Sequence, residues 1–469
     1  MNLKTISLIS ACLILTLSSC QSQNYKKPKQ KNDNWQTASS DEFDINHYLL
    51  SQLYENLNNE IFPNTHSVLI IKDNKLIFEK YLNGFNEDRK QFTASVSKSV
   101  GSILTGIAIE EGLLESINNG ILEKNISDLF NDYKSLLNED SLKSTIRFKH
   151  ILSMSGGLDW DEHTYPYSDR RNDWIAASHS IDPFVFLFEK KMVTKPGNNF
   201  NYNGGYSLLL SKQIQDITGK SALEYAKEKL FKPLKIKEYE WESVRCGLTD
   251  TDGGLHLLPR DMAKIGQLYL NNGRWDGEQI VDSNWVKEST KEQIISEGMP
   301  NYGFQWWCGT FHSKAISSYT YFTSGLGGQK IYVFPEFNVV IVITHQVFDN
   351  NYGELNNIKI LSNYILPSLV NTTQTIEPII LSITDLNKYV GVYSNDNESF
   401  EIKLKNNQLI VSEPNRPEMV LSPNSNNKFT SILPQGIDVV ANFHSNSEKG
   451  ISGMDISFSF NELSYKKIQ

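Results

Sequence analysis

Val100, Ile103, Leu104, Ile107 and Ala108 recur at helical spacing along Thr93–Leu114, which predicts a largely buried helix opening just after Phe92-Thr93 and closing near Gly112. Upstream, Ile45, Leu49, Leu53, Leu57 and Ile61 form a second helical stripe. Between the two lie apolar runs at Ser67–Ile71 and Leu76–Phe78, split by Asp73-Asn74, the pattern of a hairpin. Residues 115 to 230 alternate helical and loop signals. Strand patterning returns late, at Lys330–Phe334 and Asn338–Thr344 on either side of Pro335-Glu336-Phe337. A sheet assembled from both ends of a segment, with a helical block inserted between, is an α/β (α+β) arrangement of two lobes with a cleft between them.

Both ends of the chain differ in texture from this body, which is placed at 44–368. Past Ser368, a polar link leads into short alternating runs, among them Phe400/Ile402/Leu404, Leu409–Val411, Phe429–Leu433 and Ile456–Phe460. Short strands at this spacing predict a small all-β domain, barrel or sandwich, over 380–469. At the other end, a basic Met1–Lys4 and an apolar Ile6–Leu17, too short to span a bilayer comfortably, read as a signal peptide over 1–19. Leu17-Ser18-Ser19-Cys20 resembles the lipobox of bacterial lipoproteins. That resemblance implies acylation of Cys20 and an extracytoplasmic chain anchored to a membrane by its lipid. Gln21, in place of Asp, implies an outer membrane. Residues 20–43, rich in Lys, Gln, Asn and Ser, read as a flexible tether.

Composition narrows the partners. The chain carries 54 acidic and 45 basic side chains, a net charge of −9, with no basic patch, so nucleic acid is not an expected partner. Beyond the leader and Cys20, only Cys246 and Cys308 remain, which allows one bridge or two free thiols. His150, His256 and His345 are scattered without metal-ligand spacing, so neither a metal nor a cofactor is expected. Gly219-Lys220-Ser221 lacks the upstream glycine of a phosphate loop, and no Gly-x-Ser-x-Gly elbow occurs.

Candidate chemistry sits on the first turn of the Thr93–Leu114 helix. Ser95 and Lys98 are three residues apart and share a face. The field of a helix N-terminus favours a developing alkoxide, and a lysine desolvated enough to be neutral can take the serine proton. Ser-x-x-Lys alone is weak, since it recurs at Ser425–Lys428 and Ser464–Lys467. An ordered set of further segments carries more. These are Phe148–Trp160, Pro196–Tyr202, Pro259–Gly273, Tyr302–Trp307 and Ser324–Gln329. With Ser95–Lys98 they resemble, in order over residues 44 to 365, the serine β-lactamase/penicillin-recognising superfamily. The likeness is to its class C-like branch of esterases and 6-aminohexanoate-oligomer hydrolases.

The resemblance implies a β-lactamase/transpeptidase-like sheet plus helical lobe, a Ser95 nucleophile activated by Lys98, and Tyr202 as general acid/base. It also implies an oxyanion hole from the N–H groups of Ser95 and Leu326, with Gly325 and Gly327 allowing close approach of substrate and Asn203 and Ser324 as further candidate substrate-binding residues. Two departures shape the expected substrate. The second motif reads Tyr202-Asn203-Gly204, so its polar third position is lost unless Asn203 turns inward. The third reads Thr323-Ser324-Gly325, without the usual cation that holds a substrate carboxylate. Such a charge-assisted bond is worth ~1.5–3 kcal/mol. The expectation is therefore a serine hydrolase of small-molecule esters or amides that needs no carboxylate on its substrate. A β-lactamase or D,D-peptidase, and a non-catalytic binding or sensing lipoprotein, are the alternatives. Asp159–Glu162 and Asp173-Trp174 resemble family loops near the cleft, with substrate contact and loop packing both open.

Overall fold

A computed structural model describes residues 25–346, 352–370, 379–413, 416–446 and 450–468. The leader and Cys20 lie outside them. Among the described residues, no helix is long and apolar enough to cross a membrane.

The body is built on one eight-stranded sheet. Its first strands are β1 (Gln36–Thr37), β2 (Thr65–Lys72) and β3 (Lys75–Tyr81). A small side sheet of β4 (Gln91–Phe92), β5 (Tyr239–Trp241) and β6 (Leu255–Leu257) stands apart. The late strands are β7 (Asn301–Tyr302), β8 (Trp307–His312), β9 (Ser317–Gly325), β10 (Gln329–Phe334) and β11 (Val339–His345). They join the early ones in the order β1-β3-β2-β11-β10-β9-β8-β7. Asp73 and Asn74, both left-handed at φ 49° and 63°, make the tight turn between β2 and β3. Nearly every residue of β2, β10 and β11 is buried, because helices cover both sheet faces; this is why these strands read as continuous apolar runs.

One face, with Leu69, Ile71, Ile331, Val333, Val340 and Val342, forms a core with α2 (Val96–Glu110) and α4 (Pro259–Leu270). The other carries Val68, Ile70, Ile341 and Ile343 against α1 (His47–Asn58) and the helical segment over 352–369. Helix α1 buries Leu50, Leu53 and Leu57, whereas Ile61, expected on its stripe, lies beyond the helix end and is exposed. The remaining long helix, α3 (Gly204–Thr218), belongs to the inserted helical lobe.

The tether expectation needs correcting. From Tyr25 onward the segment is packed: Tyr25 stacks on Phe78 with ring centres 4.5 Å apart, and β1 runs parallel to β3. Trp35 is 2% exposed, and its indole donates to the Arg260 carbonyl at 2.9 Å. The Arg260 guanidinium in turn grips Asp33, Glu79 and the Lys29 carbonyl. The many Lys, Gln, Asn and Ser residues surround a strap that two aromatic anchors and one arginine hold to the body.

Strands β12 (Gly391–Ser394), β13 (Ser399–Lys405), β14 (Gln408–Ser412), β15 (Met419–Pro423), β16 (Lys428–Ile432), β17 (Asp438–Asn446), β18 (Gly450–Phe458) and β19 (Asn461–Lys467) form a closed antiparallel barrel. Closure removes the exposed edges that a small sandwich would carry. Its interior is filled by its own core, including Tyr393, Phe400, Phe429, Phe443 and Met454. The other two Ser-x-x-Lys matches lie in this barrel. Cys246 and Cys308 are free thiols, one exposed and one buried.

Candidate active site

Ser95 stands where a left-handed residue meets a helix. Ala94 has φ 48°, a strained setting for a residue with a side chain, and Ser95 occupies the N-cap position of α2 without a side-chain capping bond. Its hydroxyl is thus not spent on the helix. Strand β6 clamps the approach: Thr93 donates through both its N–H and its hydroxyl to the Leu255 carbonyl, and the Leu255 N–H donates to Ser97 Oγ at 3.1 Å. The end of β9 docks on the same segment, for a Cβ added at Gly325 would collide with the Thr93 carbonyl. Buried Gln305, in the Tyr302–Trp307 segment, ties α2, α3 and the Phe148–Trp160 segment together. Its carbonyl accepts from Ser99 Oγ (2.6 Å), its Oε1 accepts from Ser207 Oγ (2.8 Å), and its Nε2 donates to the Leu152 carbonyl (3.0 Å).

Lys98 is 1% exposed, and its Nζ lies 3.3 Å from Ser95 Oγ. The expectation that it sheds its charge does not hold. Its ammonium forms an ion pair with the buried Asp252 carboxylate and donates to the Asp252 carbonyl at 3.1 Å. Burial pulls the Lys98 ammonium down, but Asp252 foremost, then Tyr202 and Glu162, outweigh it and hold the group above the ordinary lysine range. Asp252 was not legible as a site residue, yet Gly204 explains its place. A Cβ at Gly204 would sit 2.6 Å from Asp252 Oδ1, so the space left by the missing side chain of the second motif holds this carboxylate. Asp250 orients the turn by accepting from the N–H groups of Asp252 (2.9 Å) and Gly253 (3.0 Å).

The Tyr202 ring lies over Lys98, with Nζ 4.7 Å from the ring centre. Burial pushes its phenol up to about 12, against the pull of the Lys98 ammonium and a hydrogen bond with Ser95. Asn203, expected at the substrate, instead caps α3: its Oδ1 accepts from the Tyr206 N–H at 3.1 Å, and the residue is fully buried. Backbone geometry at the start of α3 takes its amide oxygen, while its Nδ2 is buried without a hydrogen-bond partner among the described residues.

Glu162 belongs to the buried network, which resolves the open reading of its loop. Its carboxylate accepts from the Gly204 N–H (2.7 Å), Trp160 Nε1 (2.9 Å) and the Tyr167 hydroxyl (2.9 Å). Burial and the nearby Asp252 charge push Glu162 up to about 7, and burial and Asp252 do the same to Asp250. Both carboxyls therefore keep protons in the folded chain that the unfolded chain releases above about pH 4 to 4.5. Their contribution to stability is complete at acid pH and is lost as pH climbs to about 7. Glu162→Gln, which mimics the protonated acid, is expected to roughly halve the fall in Tm across that interval, leaving the part due to Asp250. Thermal melts against pH check this; an unaltered slope contradicts it.

Ser95 and Tyr202 open into a cleft of about 790 Å³, where Ser324, Gly325, Leu326 and Gly327 form the facing edge. The cation expected to be missing from the third motif stands one strand away. Ser324 pairs with Lys330 across the β9–β10 hairpin, and Lys330 Nζ donates to Ser324 Oγ at 2.9 Å. Glu354 balances that charge at 2.8 Å. Reading the Leu326-Gly327-Gly328 stretch as a hairpin turn was the available signal.

The Beta-lactamase family matches residues 64–363, which carry the sheet, the Ser95 helix and the cleft edge. The chain belongs to this family. Among relatives of the beta-lactamase-family chain, the 6-aminohexanoate-dimer hydrolase of Paenarthrobacter ureafaciens is 24% identical over 300 residues, 59% of this chain and 71% of that one. A solved penicillin-binding protein homologue from Pyrococcus abyssi superimposes with a TM-score of 0.53 at 19% identity, covering 89% of this chain and 99% of that one. A hydrolase with promiscuous acyltransferase activity gives a TM-score of 0.51 at 13% identity, over 65% and 95% of the two chains. These structural likenesses establish the fold.

Proposed function

We propose that the chain is a serine hydrolase that cleaves ester or amide bonds through an acyl-enzyme on Ser95. The observation that carries this reading is the placement of Ser95 Oγ 3.3 Å from a buried lysine, under the Tyr202 phenol and inside an open cleft. Lys98 acts as a fixed cation: it stabilises the ionised form of Tyr202 and the alkoxide forming on Ser95. Tyr202 Oη takes the Ser95 proton as Oγ bonds to the carbonyl carbon, then gives it to the departing alcohol or amine. Water attacks the acyl ester next, passing its proton to Tyr202 and returning Ser95 Oγ–H. The N–H groups of Ser95 and Leu326 are assigned to the oxyanion. Membership of the beta-lactamase family and the name of the 6-aminohexanoate-dimer hydrolase relative support hydrolysis of an acyl bond. The leader and Cys20 support a lipid-anchored, extracytoplasmic location.

The purified chain is to be assayed on p-nitrophenyl esters, the linear 6-aminohexanoate dimer and nitrocefin. Ester or amide turnover is expected to rise with pH well into the alkaline range, because a phenol at about 12 is scarcely ionised near neutrality. Tyr202→Phe is expected to lose this turnover by roughly 10²–10⁴-fold. A second reading, a β-lactamase or D,D-peptidase, draws support from Lys330, which restores a cation beside Ser324. Nitrocefin turned over faster than every ester selects it, and inertness toward all three sinks both.

A further inference from the structure

The C-terminal barrel keeps one aromatic side chain out of its own core. Phe460 sits on the turn between β18 and β19, and it packs with the body's core rather than the barrel's. Its ring stacks on Phe322 with centres 5.0 Å apart and planes 29° apart, and meets Phe311 edge-on at 5.1 Å. Backbone bonds hold the turn in place. The His312 N–H donates to the Ser459 carbonyl at 2.5 Å, and the Ser459 N–H donates to the His312 carbonyl at 3.1 Å. Ser459 itself is left-handed at φ 50°, which sharpens the turn that presents the ring.

Phe322 is more than a core residue. It lines the cleft on the same strand face as Ser324, two residues away, and Lys330 Nζ lies 5.1 Å from its ring centre. Tyr332, opposite it in register, tilts against it at 5.2 Å. Three sides of the ring are therefore taken, by Phe460, Tyr332 and Lys330. The barrel supplies the backing on which the cleft wall rests.

We propose that Phe460 is a positioning residue for substrate selection: by backing Phe322 it fixes the width of the cleft beside Ser324, so that the barrel limits the bulk of the apolar acyl group accepted. This inference rests on the ester-hydrolase reading of the Ser95 site. The cleft at this point is lined by aromatic and aliphatic side chains, Trp307, Phe322, Leu326 and Leu355, and its Lys330 charge is answered by Glu354. The substrate group it fits is uncharged and apolar. Removing the Phe460 ring leaves space behind Phe322, and a packed wall relaxes toward such space only in part.

The test uses the full chain with Phe460→Ala and Phe460→Leu, measured on p-nitrophenyl acetate and p-nitrophenyl octanoate. The ratio of kcat/KM for octanoate over acetate is expected to rise about tenfold in Phe460→Ala, carried by a lower KM for octanoate, and less in Phe460→Leu. Phe322→Ala is expected to raise the same ratio, and the double variant to add little to either single one, since both act on one wall. A ratio within twofold of the parent in both Phe460 variants overturns the inference, as does a parallel loss on both esters. A parent chain inert to both esters is a different failure: it removes the ester-hydrolase reading on which this inference rests, and the inference with it, whatever the amide substrate does.

Discussion

Ser95→Ala is expected to lower kcat/KM for ester hydrolysis by about 10⁴-fold or more, because no other hydroxyl replaces a lost nucleophile. Stability is expected to stay level. Ser95 holds the N-cap position of α2, where Ser→Ala ordinarily costs ~1 kcal/mol, but it makes no capping bond to forfeit. The pairing of full activity loss with an intact Tm separates a nucleophile from a structural serine. Initial rates on p-nitrophenyl acetate and a thermal melt of the same preparation check both halves. A variant that keeps a tenth of the parent rate removes Ser95 from the chemistry.

Asp252→Asn should disturb the molecule in two ways. Its carboxylate is the partner of an ammonium that has no access to water, and breaking a buried pair from one side costs about 3–5 kcal/mol. The same change frees Lys98 from the contact that aims it at Ser95, and misplacement by about 1 Å costs roughly 10²-fold in rate. Asp252→Asn is thus expected to lower both Tm and kcat, while Lys98→Met combined with Asp252→Leu recovers stability without activity. Chemical denaturation with matched rate measurements decides this. An Asp252→Asn chain as stable and as fast as the parent contradicts the assigned ion pair.

The arrangement of elements was largely legible, for reasons that differ from place to place. The Ser95 helix and the β2–β3 hairpin announce themselves through period and turn residues, and the alternating tail gives strands whose closure into a barrel only the pairing of β12 with β19 reveals. The strap around Trp35 is hidden from composition, which averages over a window in which two aromatic anchors do the holding. At the site, Ser95, Lys98 and Tyr202 come together as the ordered motifs imply. Asp252 did not show itself, since it lies 154 residues beyond Lys98 and its meaning depends on a side chain that Gly204 lacks. That substitution across space also reversed the expected charge state of Lys98. Lys330 was hidden differently: six residues from Ser324 in the chain, it becomes a neighbour only once the strand register is known.

The most direct test of the acyl-enzyme is mass spectrometry of the chain quenched during turnover of a p-nitrophenyl ester, or after reaction with a fluorophosphonate. One added acyl or phosphonyl group is expected, located on Ser95 and absent from Ser95→Ala. No covalent mass during measurable turnover, or a mass on Ser97, Ser99 or Ser324 instead, would contradict it.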